Sequence, residues 1–427
     1  MSPIVINTMI RYTTSLLIVF FCASGLAAQT IRTDVTVIGA SAAGISAGIQ
    51  AARSGVKSLV IEEGKSIAAE FSAGDLISLE RIRDHYLYKN EAGGGAKDSV
   101  KRQRVRFEEA SQLLKSISDT VKNITLMLNT GIREVEKDGK GWEIRLENGR
   151  KVKTDVIIDA SDKGILTTLL KIDPEKTVIQ LNRTNPSALA TNKLFRTSVA
   201  WGLQQVANKR ATYLIPAAAL MPSGHENIFL VPKGKNGWQP EAMLAGQAAG
   251  ASAAFCAFFK TTSKNLDVRV TQGELLAYDS RLIPYRDIDF TDRHAVALQH
   301  IGLSGILKAK SVSDGDQEEF VFDTLGTVSS DDLRVPMKEY YSRSQIWFPD
   351  HQKDSLNIED AINLMMFTAT RGEELRREIE AGWQTSLKFS SKYDPKRAIS
   401  RREFAVLADT YLQPFNRRVD FNGNLLN

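Results

Sequence analysis

The hydrophobic pattern opens on a short, nearly unbroken apolar run. Residues 35–38, Val-Thr-Val-Ile, lack the polar alternation of a half-exposed strand and suit one buried on both faces. The small residues Gly39-Ala-Ser-Ala-Ala-Gly44 follow, then a small-residue helix, then Lys57-Ser-Leu-Val-Ile-Glu62. This predicts strand, tight turn, helix and strand, with an acid closing the second strand. From 64 to about 95 no period holds, and an irregular section is expected; 107–120 resumes the spacing of an amphipathic helix. Residues 124–130 read as a strand, and 131–137, 142–146 and 150–153 as a meander. Another buried strand, 155–159, runs into the turn Ala160-Ser-Asp-Lys-Gly164. Residues 227–231 are strand-like, and 242–259 form a long helix of small residues.

Beyond about Asp279 the helices shorten and charge rises. Segments 288–341 and 358–412 each close on a helix introduced by a serine cap and acidic residues, Val328-Ser-Ser-Asp-Asp-Leu and Ile399-Ser-Arg-Arg-Glu-Phe. The expected organisation is a leader over 1–28, an α/β unit over 30–278, and a helical module with two divergent repeats over 279–427.

The first unit carries chemistry. Gly39 lets the chain turn sharply off its strand, Gly44 lets the helix approach the sheet, and the helix N-terminus offers N–H groups and partial positive charge to a pyrophosphate. Glu62 lies about twenty residues on, where a carboxylate accepts hydrogen bonds from an adenosine ribose. Gly39, Ala40, Ser41, Ala43 and Gly44 are thus candidates for the phosphates, and Glu62 and Glu63 for the ribose. Ser41 stands in the place of the second glycine, where its side chain limits how near a phosphate comes. The competing structural reading is a Rossmann-like unit without its ligand.

Taken with the strand and turn Asp155-Val-Ile-Ile-Asp-Ala-Ser-Asp and with Met243-Leu-Ala-Gly-Gln-Ala-Ala-Gly250, this motif resembles the two-dinucleotide-binding-domain flavoproteins, in particular the FAD-dependent oxidoreductases of exported bacterial proteins. The resemblance covers roughly 34–282. It implies an α/β fold, a Rossmann-like FAD-binding domain with a small β-rich insertion, and FAD as cofactor. It places Ala160 beside the cofactor and the backbone near Thr130, Gly131 and Ile132 beside the adenine. It points the N-terminus of the helix at Gly246, Gln247 and Ala248 toward the flavin pyrimidine, where a reduced flavin carries negative charge.

Departures gather on the flavin side. Ala68-Ala69 replaces a glycine pair, and Glu70 and Ser72 follow where an apolar residue and a threonine are usual; both remain candidates to face the ring. Ile215-Pro-Ala-Ala-Ala-Leu220 lacks an aromatic and an arginine, and Val231-Pro-Lys-Gly replaces a small-Gly-Arg turn. Lys233 and Lys235 approach the flavin or its phosphates from the shortened loop, or are solvated loop charges. Phe290-Thr-Asp, Gly305-Ile-Leu and Ile399-Ser-Arg-Arg-Glu-Phe-Ala faintly resemble surface-layer-homology modules, which implies a cell-envelope polymer as partner; a purely structural helical cap accounts for them equally.

Composition adds the compartment. Arg11, the apolar run 16–22 and the small residues 23–28 read as a signal peptide cut near Ala27 or Ala28, because the run falls short of the ~20 residues of a spanning helix. A secreted, periplasmic or envelope-associated protein without a transmembrane segment is expected. Cleavage removes Cys22 and leaves Cys256, which excludes an internal disulfide and reads as a buried thiol. The net charge of +5 is spread among acids, so nucleic acid is not an expected partner. No cluster has metal-ligand spacing. Of the five histidines only His85 and His225 fall in the flavoprotein-like part, and neither sits in a catalytic motif. The leading expectation is hydride transfer from a small organic or sugar-derived substrate to FAD. The alternative is a non-catalytic envelope or glycan-binding protein that keeps the fold.

Overall fold

The computed structural model describes residues 30–67, 71–87, 105–181, 192–235, 237–289 and 291–426. The leader, Ala68-Ala69-Glu70 and Phe290 lie outside the described residues. A short strand, β1 (Thr30–Arg32), precedes β2 (Val35–Ile38), helix α1 (Ala42–Arg53) and β3 (Ser58–Ile61). The section expected to be irregular contains helix α2 (Ala73–Leu87). Its start was written in the sequence: the Ser72 hydroxyl accepts the Asp75 amide at 3.0 Å, and the Asp75 carboxylate accepts the Ser72 amide at 2.9 Å, a reciprocal cap.

Helix α3 (Phe107–Thr120) then leads to β4 (Ile124–Met127), and β5 (Ile132–Asp138), β6 (Gly141–Leu146) and β7 (Lys151–Thr154) form the meander. Strand β8 (Val156–Asp159) and the short helix α4 (Ile165–Leu169) follow. Next come β9 (Ser198–Val206), β10 (Lys209–Pro216), β11 (Ile228–Leu230) and β12 (Trp238–Pro240). The long helix α5 (Ala242–Phe258) and α6 (Val268–Ala277) complete this part.

Five strands, in the order β11-β8-β2-β3-β4, make an all-parallel sheet. The alternation of side chains explains its two covers. Val35, Val37, Val60, Val156 and Ile158 pack toward Ile45, Ile49 and Ala248 of α1 and α5, while Ile38, Leu59, Ile61 and Ile157 pack on Trp142, Ile144 and Val152 of the meander. The fold is therefore α/β, a Rossmann-like sheet with a β-rich insertion. The two helices meet backbone to backbone. A Cβ on Gly246 would lie 2.0 Å from the Ala43 carbonyl oxygen, and one on Gly250 2.3 Å from that of Ala47.

The C-terminal part begins with α7 (Ala295–Ser304) and the hairpin β13 (Lys310–Asp314) and β14 (Gln317–Val321). It then runs through α8 (Ser330–Tyr340), α9 (Ser344–Trp347), α10 (Ile358–Ala369), α11 (Glu373–Gly382) and α12 (Arg401–Tyr411). It is mostly helical, but the hairpin extends the sheet β12-β9-β10-β14-β13, with β14 parallel to β10. One sheet and one apolar core thus run through the boundary expected near 279. Capping boxes stand at Ser329 and Ser400 as read from sequence, and a third stands at Asn357. Their lead-in strands interlock, Leu356 donating to the Val328 carbonyl and Ile399 to that of Leu356. Among the described residues no helix is long and apolar enough to cross a membrane.

Candidate functional site

The carboxyl ends of β2, β3 and β8 converge on a cavity of about 200 Å³. Gly39 turns the chain at φ +93°, and a Cβ there would sit 2.5 Å from the Ser161 Cα, so the turn after β8 lies directly on it. Gly44 is held as tightly: its Cβ would fall 2.0 Å from the Gly39 carbonyl oxygen. Ser41 caps α1, accepting the Gly44 amide at 3.2 Å, and donates to the Ala160 carbonyl at 2.9 Å. Its side chain therefore joins the two turns, a role that substitution for glycine did not suggest. The Glu62 carboxylate accepts the amides of Ala40 and Gly64, both at 2.7 Å, which fixes it at the edge of the cavity.

The structure brings together Gly39, Ser41, Glu62, Glu63, Ile132 and Ala160, all lining this cavity, and Thr130 with them. Ser161, Asp162, Lys163 and Ile165 join them from the β8 turn. Asp159 lies on the wall of a second cavity, but both its oxygens are held by the chain. One oxygen accepts the Ser161 amide and hydroxyl and the other accepts the Leu166 amide at 2.9 Å, so it ties the start of α4.

The flavin-side candidates lie elsewhere. Gly246 is one turn inside α5 and packs on Ala43; Gln247 donates to Gln50 at 3.0 Å; Ala248 is fully buried. These four positions, Ala43 included, serve helix packing. Gly44 and Ala40 act through the backbone rather than on the cavity wall. Ser72 sits at the N-terminus of α5, its hydroxyl 3.2 Å from Glu241, where Asp75 accepts the Met243 amide at 2.8 Å. At the helix end expected to face a flavin, one amide is thus already taken by the Asp75 carboxylate. Of the histidines, His225 sits in a turn with Nδ1 3.2 Å from the Ser223 carbonyl, and His85 falls within α2.

A larger cavity of about 640 Å³ opens beside the ends of β8 and β11. Thr167, Leu230, Val231, Pro232 and Trp238 line it, with Lys163, Lys233 and Lys235. Lys163 borders both cavities, so they meet at the β8 turn. The sequence pointed to Val231, Pro232, Lys233 and Lys235 on this wall but not to Thr167, Leu230 or Trp238, which no motif links to them.

Residues 34–173 match the FAD dependent oxidoreductase family. The match spans β2, β3 and β8, which build the smaller cavity, and FAD is the cofactor it indicates. It supports redox function in general terms. No curated protein matches the sequence. Among solved structures, a thioredoxin reductase from T. acidophilum is 21% identical with a TM-score of 0.20, over 30% of this chain and 35% of its own. A bacillithiol disulfide reductase from Staphylococcus aureus is 16% identical with a TM-score of 0.22, over 31% and 38%. PqsL from P. aeruginosa, solved with 2-aminobenzoylacetate, is 13% identical with a TM-score of 0.32, over 64% and 96%. The chain thus spans little more than a third of the length of the first two.

The residues present fit one half of the cofactor. A fixed carboxylate at Glu62, a glycine turn with no room for a Cβ and a capped helix N-terminus suit adenosine and phosphates. The end of α5, occupied by Asp75, does not suit the flavin pyrimidine.

Proposed function

We propose that this chain is an exported FAD-dependent oxidoreductase that takes a hydride from a small organic or sugar-derived substrate and passes the electrons to a separate acceptor. The observation that carries the reading is the pair of cavities meeting at Lys163 on the carboxyl edge of a parallel sheet, where open α/β sheets bind ligands. Glu62 would hold the ribose, the turn at Gly39 and Ser41 the pyrophosphate, and Thr130 and Ile132 the adenine. Bound FAD would supply the hydride acceptor. The larger cavity, with Trp238 and Pro232 as an apolar wall, has room for the flavin ring and for a small substrate against it. The test is a visible spectrum of the purified mature chain. Flavin absorbance, retained or gained on adding FAD, is expected; no absorbance and no binding would sink the reading.

Export rests on the leader pattern and is checked by N-terminal sequencing of the secreted chain, which should begin after Ala27 or Ala28. Association with an envelope polymer rests on the likeness of residues 399–405 to surface-layer-homology modules. Cosedimentation with purified cell-wall material tests it.

The second reading is a non-catalytic envelope or glycan-binding protein. The Asp75 carboxylate on the α5 amide of Met243 favours it. Substrate-dependent bleaching of bound flavin would rule it out.

A further inference from the structure

The closed end of α5 raises an electrostatic question. A reduced flavin gathers negative charge at its pyrimidine edge and needs a positive partner. Here the Asp75 carboxylate, only 3% exposed, already accepts an amide of the helix start and sets a negative charge beside it. The compensating charge has to come from elsewhere.

Three lysines line the larger cavity, and they differ in what holds them. Lys163 lies 3.5 Å from the Glu63 carboxylate and Lys235 2.7 Å from that of Glu175. Lys233 instead donates to the Asp162 backbone carbonyl at 3.0 Å, an uncharged acceptor. Its Nζ would be 3.4 Å from a Cβ on Gly164, so it stands over the β8 turn. Asp162 itself lines the smaller cavity. Of the three lysines, Lys233 is thus the one held by a neutral acceptor, with no carboxylate among its described contacts.

We infer that Lys233, rather than the N-terminus of α5, is the positive charge that faces the flavin of bound FAD, with the ring in the larger cavity beside Trp238 and Pro232. The inference rests on the FAD reading above. It also gives a use to the Pro-Lys pair that replaces a small-Gly-Arg turn: Lys233 keeps a cation on the loop after β11.

The experiment compares FAD-loaded wild type with Lys233→Met, Lys233→Arg and Asp75→Asn by dithionite titration against a reference dye. Affinities for FAD and for ADP are measured alongside. Removing the charge should weaken the preference for reduced over oxidised flavin at least tenfold, a midpoint fall of about 30 mV for a two-electron couple. Lys233→Arg should restore most of it, ADP affinity should not change, and Asp75→Asn should leave the potential where it was. An unchanged potential in Lys233→Met would overturn the proposal. So would a tenfold gain in Asp75→Asn, which would return the flavin to the end of α5. An equal loss of FAD and ADP affinity in Lys233→Met would overturn it too, by placing the lysine at the phosphates. Wild type that binds no FAD defeats the underlying reading before any variant is made.

Discussion

The Asp75 carboxylate accepts the Met243 amide at 2.8 Å through one oxygen and the Ser72 amide at 2.9 Å through the other, so a single buried side chain closes the N-termini of α5 and α2. This contact decides what the helix beneath the expected flavin site can do. Its dipole is spent on the protein. Asp75→Ala leaves two helix ends with an unmet amide in a buried place and should cost roughly 2–3 kcal/mol, the upper range for a lost cap or a lost hydrogen bond to a charged group. Urea unfolding of variant and wild type measures it; a loss below about 0.5 kcal/mol would show that the contact does not hold the helices.

In the proposed nucleotide site Glu62 is the acid at the strand end. Its two oxygens are fixed by the amides of Ala40 and Gly64, leaving their outer lone pairs for a diol. Glu62→Gln keeps the size but replaces one acceptor by a donor facing an amide. ADP affinity should fall about tenfold or more, since one hydrogen bond to a charged group is worth roughly 1.5–3 kcal/mol. Calorimetric titration with ADP checks this without any need for turnover.

The α1–α5 contact allows a paired test. Gly246→Ala puts a Cβ 2.0 Å from a carbonyl oxygen of the neighbouring helix, which backbone movement alone can relieve, at roughly 1–3 kcal/mol. Gly273→Ala, on α6, meets no atom within 4 Å and should stabilise by roughly 0.5–1 kcal/mol. Opposite shifts in the unfolding midpoint are the expected result.

How much of this was readable before the fold depends on what each feature requires. Gly39, Gly44 and Glu62 were legible because a turn, a close helix approach and a strand-end acid each restrict residue type locally. Helices 107–120 and 242–258 were legible from spacing and small-residue content. Helix α2 was not, because its apolar residues are spread around the helix, Ile77 exposed while Leu79 and Ile82 are buried, and its cap, Ser72 with Asp75, lay unnoticed in an aperiodic stretch. The Asp75–Met243 bond joins residues 168 positions apart, and nothing local marks it. Gly246 was read as a ligand contact because a glycine-rich helix start and a glycine-rich helix interface look alike in sequence; only the position of Ala43 separates them. The hairpin β13–β14 pairs with β10 across about a hundred residues, so the sheet shared by the two halves was equally hidden.

Cys256 lies in α5, 1% exposed, and burial pushes its thiol up to about 12. At neutral pH it is almost wholly protonated and out of reach. A disulfide-exchange reagent should therefore leave Cys256 unmodified in the folded chain over hours and titrate it after denaturation. Rapid reaction in the folded state would contradict this packing of α5.

Acid stability should depend on Glu339. Its carboxylate receives two hydrogen bonds from the buried Arg196 guanidinium, at 2.9 and 2.7 Å, and a third from Lys193. The Arg196 hydrogen bonds, then Lys193, hold it at about 2, below its ordinary 4.5. A folded-state value below the unfolded one means that the contribution is fully present above about 4.5 and is lost as pH falls through the interval toward 2. Urea midpoints should accordingly drop between pH 4.5 and 2, with at most one proton of the slope due to this group. Glu339→Gln should cost roughly 2–3 kcal/mol at neutral pH, because Arg196 keeps its burial but loses its counter-charge. The variant should also flatten the acid limb. An unchanged limb would place the acid-sensitive group elsewhere, and a neutral-pH loss without flattening would mean that Glu339 acts through shape rather than charge.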